Sequence, residues 1–369
     1  MRIAVVATEI KVPDQHGGST HVTELVKGLR KHGSVLHLAL QGSHGEGVAP
    51  IGLPLRQKKK FLRHVDPLLM FPKALKEVRK FAPDAIYERC TSYGLGAMLS
   101  IATGAPLITM VLDQRYSWLS LRRAQALAVT RLDLLPKSVR DKGAKVHWGA
   151  NTEVFAPRDD GPAVRRELGI PEDALVVAYS GSFKSWHGLE LMVEVAARIN
   201  QPNLWFVLVG DGPLRGDIEA QVQAAGLGDR FVFTGSVAYE EVPRLLAPAD
   251  LCIAPFNPDK HKPSLERGTF VLDPLKVFEY LSMGKPTITI DSANIASLFE
   301  DRTSILLYEP NQADALERCL RWAIEHPIES KETAEAGRRI VLERYTWQAH
   351  ADHLVQLWSD MLAGSGGEP

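Results

Sequence analysis

Apolar residues along this chain fall alternately into short runs of β-forming residues and longer stretches with helical spacing. "RIAVVAT" (2–8) reads as a buried strand. In the stretch 19–33, Val22, Leu25, Val26 and Leu29 recur at helical spacing and Gly33 supplies the stop. "VLHLAL" (35–40) is the next strand, and a helix near 68–82 leads to "DAIYER" (84–89). "GLGAMLSIATG" (94–104) leads to "PLITMVL" (106–112), and "SLRRAQALAVT" (120–130) leads to "LDLLP" (132–136). "AKVHWG" (144–149) is the last strand of this half. Strands joined by helices predict a parallel sheet with right-handed crossovers.

"NTEVFAPRDDGP" (151–162) interrupts the alternation with Pro, Asp and Gly and reads as an interdomain linker. The pattern then restarts. Strands are expected at 174–181, 204–210, 230–235 and 251–255, with helices at 189–199, 218–226 and 242–249 between them. A long loop (256–273), a helix (274–284), a strand (286–290) and C-terminal helices follow. The restart predicts an α/β protein of two Rossmann-like domains facing a cleft, with ligands beyond the C-terminal strand ends near helix N-termini. The first domain is expected over 1–150, joined by a C-terminal helix (345–360) that crosses back onto it; the second is expected over 151–344. The last ten residues are expected to fray.

A length of 369 residues fits two domains of ordinary size, each with its own core. Lys plus Arg total 43 and Asp plus Glu total 44, for a formal net charge of -1, so the bulk charge gives no reason to expect a nucleic acid partner. Cys90, Cys252 and Cys319 are far apart and odd in number, which argues against a disulfide framework or a zinc site; Cys252, in "LCIAP", reads as a core filler. The apolar run at the N-terminus is too short for a signal peptide, and no stretch approaches the roughly 18 apolar residues of a membrane span. A cytoplasmic enzyme is expected. The one local excess of charge is basic, at Lys58, Lys59, Lys60 and Arg63, which reads as a solvated face or as peripheral contact with an anionic membrane surface.

Four segments carry candidate chemistry. After the first strand, Gly17 and Gly18 let backbone approach a ligand, and the following helix start supplies amides and a positive dipole end for a phosphate or diphosphate; His21, in that helix's first turn, would point the same way. In "YSGSFKSWHGLELMVE", a strand ends at Ser180 and a loop holds Ser182, Lys184, Trp186 and His187; a cation there would neutralise a diphosphate leaving group. In "VLVGDGPL", Gly210 and Gly212 flank Asp211 in a turn after a buried strand. It is not a dinucleotide fingerprint, which weighs against an NAD enzyme. In "DPLKVFEYLSMGKP", a helix begins near Asp273 or Pro274. Leu275 and Lys276 lie in its first turn, and Glu279 follows one turn on. A carboxylate there can accept two hydrogen bonds from a ribose diol while the helix start holds phosphates; the competing reading is an acid that merely complements the helix dipole.

Five segments in this order, "GGSTHVTEL", "NTEVFAP", "GSFKSWHG", "LVGDGPL…FTGSV" and "PLKVFEYLSMGKP", together make the chain resemble the retaining glycosyltransferases of family 4, which have the GT-B fold. "ERYTWQAHADHLVQLW" resembles the family's C-terminal crossing segment. The resemblance implies that Glu279 binds the donor ribose and Lys276 the diphosphate, that Gly235 to Val237 line the base pocket, and that Gly17 and Gly18 approach the diphosphate. Gly210 and Leu275 join the same donor-binding set. The family's first glutamate falls at Val271. Its usual Arg and Lys fall near Ser182 and His187, with Lys184 as a replacement cation. Where many members carry a His after the fourth strand, this chain has Asp113, Gln114 and Arg115.

The implied reaction moves a sugar from a nucleoside diphosphate sugar, used as co-substrate, to an acceptor hydroxyl with retention at the anomeric carbon. The transition state is oxocarbenium-like, and the leaving diphosphate itself takes the acceptor proton. Lys184, Lys276 and helix amides would meet the diphosphate charge, and Asp113 and His21 would touch sugar or acceptor. No metal is required, and the acceptor is a small molecule, a glycan or a lipid-linked sugar. Two alternatives keep the fold: a sugar-nucleotide epimerase, and a degenerate member that binds a sugar nucleotide without turnover.

Overall fold

The computed structural model describes residues 1–14, 17–53, 65–113, 116–265, 270 and 273–364. The chain divides into two units, one of Met1–Trp148 with Trp347–Pro369, the other of Gly149–Thr346. The observed divisions fall two residues from the expected ones, after Trp148 and after Thr346.

The N-terminal unit runs β1 (Arg2–Ala7), α1 (Gly17–Arg30), β2 (Ser34–Leu40), β3 (Val48–Gly52), α2 (Asp66–Phe81), β4 (Ala85–Arg89), α3 (Leu95–Thr103), β5 (Leu107–Met110), α4 (Trp118–Arg123), β6 (Ala126–Val129) and β7 (Gly143–Lys145). The sheet order is β3-β2-β1-β4-β5-β6-β7, and every pair is parallel. Such a sheet is covered on both faces, so its strands are apolar throughout. β1 shows the division of labour. Ile3, Val5 and Ala7 pack with Val22, Leu25 and Leu29 of α1 on one face. Ala4 and Val6 pack with Met70, Ala74 and Val78 of α2 and Leu95 and Leu99 of α3 on the other.

The C-terminal unit runs α5 (Gly161–Glu167), β8 (Leu175–Ser180), α6 (Leu189–Ile199), β9 (Leu204–Val209), α7 (Arg215–Ala224), β10 (Phe231–Gly235), α8 (Val242–Leu246), β11 (Leu251–Ala254), α9 (Lys262–Leu265), α10 (Leu275–Ser282), β12 (Thr287–Ile290), α11 (Ala293–Ala296), β13 (Leu306–Tyr308), α12 (Ala313–Glu325) and α13 (Pro327–Arg344). Its sheet order is β10-β9-β8-β11-β12-β13, again all parallel. α14 (Trp347–Gly364) returns to the N-terminal unit, where Leu354 and Trp358 join the core beside α1.

Several expectations shift. "ALAV" (126–129) is a strand inside a stretch read as helix: all four residues are buried and pair with β5 and β7, and a run this short has no readable period. "LDLLP" is a 3-10 turn at Leu132–Leu134, not a strand. β3 and β13 went unread because each is short. The expected linker is no free tether: Phe155 is fully buried, and its carbonyl accepts a hydrogen bond from Ser282 at 2.7 Å. α14 continues to Gly364, well into the stretch expected to fray.

Candidate functional site

The C-terminal unit gathers most of the expected residues at the C-terminal ends of β8, β9 and β10. β8 ends at Ser180, and Gly181 follows with φ +135°. Gly210, after β9, has φ +136°, and a Cβ there would lie 2.1 Å from the Gly181 carbonyl oxygen. The two strand ends therefore run backbone on backbone, which only glycine permits. Gly210 N–H in turn donates to Gly235 O at 3.0 Å. Gly210 thus holds the strand ends in register. Val237, like Gly235, is half-buried just beyond β10.

α10 brings up the chemistry. Pro274 is its N-cap and makes no side-chain cap hydrogen bond. Glu279 and Tyr280 lie three and four residues on from Lys276, one turn along the same face, and all three are buried. The Tyr280 hydroxyl accepts a hydrogen bond from Ser180 N–H at 2.7 Å, which docks α10 on the end of β8. Lys276 is thereby placed with its Nζ 3.9 Å from the centroid of the Tyr179 ring and 5.3 Å from that of Phe256. Among the described residues Nζ has no hydrogen-bond partner. Burial pushes this ammonium down to about 7 against the opposing attraction of Glu279. Glu279 accepts a hydrogen bond from the Tyr239 hydroxyl at 3.2 Å. Leu275, at the helix start, is half-buried.

His187 and Lys184 part company. Lys184 is exposed, as a charge-bearing loop residue should be. His187 is turned inward: its Nδ1 contacts the Ser182 carbonyl and lies 2.8 Å from the Tyr179 hydroxyl, which donates to the same carbonyl at 2.9 Å. Burial first, then the charge of Lys276, hold its imidazole well below its usual range. His187 therefore acts as a neutral lock on the loop, contrary to its expected place among the donor ligands. Ser182 contributes its carbonyl to that lock.

The N-terminal unit corrects a second expectation. His21 is fully buried, stacked 4.7 Å from Trp148 and 5.5 Å from Trp347, centroid to centroid. Burial, then Arg89 and His350, keep it neutral. It packs in an aromatic cage and is closed to a ligand, because one turn into α1 the helix face already belongs to the core. Gly17 is exposed and Gly18 half-buried at the start of α1. Asp113 is half-buried beyond β5. Nearby strand ends carry a half-buried ion pair that sequence reading missed: Arg89 Nη1 donates to Glu9 Oε1 at 2.7 Å, and Ser92 to Glu9 Oε2 at 2.9 Å. Lys58, Lys59, Lys60, Arg63, Gln114, Arg115 and Val271 lie outside the described residues.

Tyr179, Tyr239, Tyr280 and Phe256 were also missed, because aromatic residues on apolar runs read as core. Arg215 was missed too. Its guanidinium bonds Glu219 at 2.8 Å, lies 3.4 Å from Asp211, and sits 5.9 Å from the Phe233 centroid. Its position four residues after Asp211 was the available signal.

Residues 160–340 match the model of the glycosyl transferases group 1 family. The chain is 28% identical over 204 residues to alpha-D-kanosaminyltransferase of Streptomyces kanamyceticus, covering 54% of this chain and 48% of that one. It is 27% identical over 187 residues to 2-deoxystreptamine glucosyltransferase of the same organism, covering 49% and 45%. The chain thus spans about half the length of the curated relatives it matches. HepE of Anabaena, solved in complex with UDP, superposes with a TM-score of 0.77 over 98% of this chain and all of that one, at 17% identity. The chain has the GT-B fold, two Rossmann-like units with parallel sheets of seven and six strands, and its residues 160–340 are similar to the group 1 glycosyl transferases. Among the described residues no helix is long and apolar enough to cross a membrane.

Proposed function

We propose that this protein is a retaining glycosyltransferase of family 4 that moves a hexosyl group from a nucleoside diphosphate sugar to an acceptor hydroxyl. The observation that carries the reading is α10. One buried turn presents a lysine ammonium with no hydrogen-bond partner among the described residues and, three residues on, a buried carboxylate. A buried cation is costly unless something anionic completes it, and a diphosphate is of the right charge. Glu279 is the acceptor for the donor ribose diol. Lys276, the first-turn amides around Leu275 and the exposed Lys184 meet the charge that develops on the leaving diphosphate, and the reading calls for no metal.

Retention follows from the family resemblance: the leaving diphosphate takes the acceptor proton on the face it departs from. The name of one relative, 2-deoxystreptamine glucosyltransferase, favours an acceptor of the 2-deoxystreptamine kind. A cytoplasmic location belongs to the same reading. The test is a thermal-shift screen of uridine, guanosine, adenosine and thymidine diphosphates and their sugars, since a ligand of the folded state raises its melting temperature. A shift by one base series, followed by transfer to 2-deoxystreptamine with an α-linked product from an α-linked donor, is expected. No shift by any of them would sink the reading.

A further inference from the structure

Tyr179 contributes more to this site than packing. Its ring is the nearest aromatic face to the Lys276 ammonium, at 3.9 Å from centroid to Nζ. The ring cannot swing away. Its hydroxyl donates to the Ser182 carbonyl at 2.9 Å and meets His187 Nδ1 at 2.8 Å. On the open side Gly181 leaves room: a Cβ there would lie 2.6 Å from Nζ. Among the described residues the charged and titratable groups around the ammonium are few. Glu279 and Tyr280 stand on α10 itself, Tyr179 on β8, and His187 and Lys184 in the turn after β8. Phe256, after β11, is apolar. His187 is neutral, and Glu279 is not within hydrogen-bonding reach of Nζ. The aromatic faces are therefore the direct partners of the charged form.

We propose that Tyr179 is a positioning residue for the donor: its clamped ring holds the Lys276 ammonium aimed at the strand ends, and nucleoside diphosphate binding there is coupled to proton uptake by Lys276. This rests on the proposed function, which makes the bound group a diphosphate. The physical logic is linkage. Burial lowers the lysine toward neutrality near physiological pH, the ring face favours its charged form, and an arriving anion completes the protonation. A merely structural tyrosine would lower affinity equally at every pH. A positioning ring makes the effect depend on pH, because it biases one protonation state.

The experiment is calorimetric titration of the intact protein with the nucleoside diphosphates named above, from pH 6 to 9, in phosphate and in Tris, whose ionisation heats differ. Wild type should take up a fraction of a proton per diphosphate bound, and affinity should fall as pH rises. Tyr179→Phe keeps the ring and should keep this profile. Tyr179→Leu should move the falling limb to lower pH and weaken binding at pH 8 by roughly tenfold. Should Tyr179→Leu not fold, Lys276→Met against wild type decides, since it must abolish the uptake. Uptake that persists in Lys276→Met, or a Tyr179→Leu limb at the wild-type pH, overturns the inference while the function stands. Failure of every diphosphate to bind wild type overturns both.

Discussion

The Tyr239 hydroxyl donates a hydrogen bond to the Glu279 carboxylate at 3.2 Å, joining the segment after β10 to the middle of α10. A buried carboxylate held this way has its orientation fixed, as recognition of a ribose diol requires. Glu279→Gln preserves shape and removes charge. Hydrogen bonds to charged groups contribute about 1.5–3 kcal/mol, so nucleoside diphosphate affinity should fall about tenfold or more. If Glu279 only complements the helix dipole, the variant should lose up to ~1 kcal/mol of stability and bind as before. Calorimetry beside melting curves separates the two.

Lys276 should also leave a mark on stability. Its folded value is depressed to about 7 from 10.5, so between those limits the unfolded chain binds more protons and stability rises with pH. Below about 7 the burial cost is fully present. Lys276→Met should therefore raise the melting temperature at pH 6 and lose that advantage progressively toward pH 10. An advantage independent of pH would mean that the lysine titrates alike in the folded and unfolded chain, so that burial does not depress it.

His21 and His37 act at the acid end. Burial, then Arg30, lowers His37 to about 4, and burial holds His21 well below its usual range. Both stay neutral in the folded protein while the unfolded chain takes up protons below about 6.5, so stability falls as pH drops from there toward 4. His21→Phe keeps a ring between Trp148 and Trp347 and removes one titration. Its acid melting profile should be shallower than that of wild type. Its nucleoside diphosphate affinity should be unchanged, since His21 is closed to ligand.

α2 exposes Leu68 and Leu69, at 60% and 64%, ahead of exposed Lys73, Lys76, Arg79 and Lys80. Apolar tips followed by cations suit the surface of an anionic bilayer. Co-sedimentation with phosphatidylserine-containing vesicles should be salt-sensitive and fall in the double variant Leu68→Ser, Leu69→Ser. Absence of any vesicle binding at low salt would end the idea of membrane contact.

Much of this molecule was legible in the chain itself. Apolar runs such as 2–8 and 204–210, separated by helical periods, determine two parallel-sheet units, because a strand buried on both faces must be apolar throughout. Lys276 and Glu279 stood out through the family resemblance of "PLKVFEYLSMGKP", because their spacing alone left a helix-dipole role open. What only the tertiary structure decided is which way each polar group faces. His21 and His187 sit in loops and first turns that sequence reading assigns to ligands, yet Trp148 and Trp347 enclose the first and the Ser182 carbonyl holds the second. Tyr179 looked like core and partners the lysine. Partners far apart in sequence, such as residues 21 and 347 or 179 and 276, meet only once the sheets form, and burial then sets which groups remain charged.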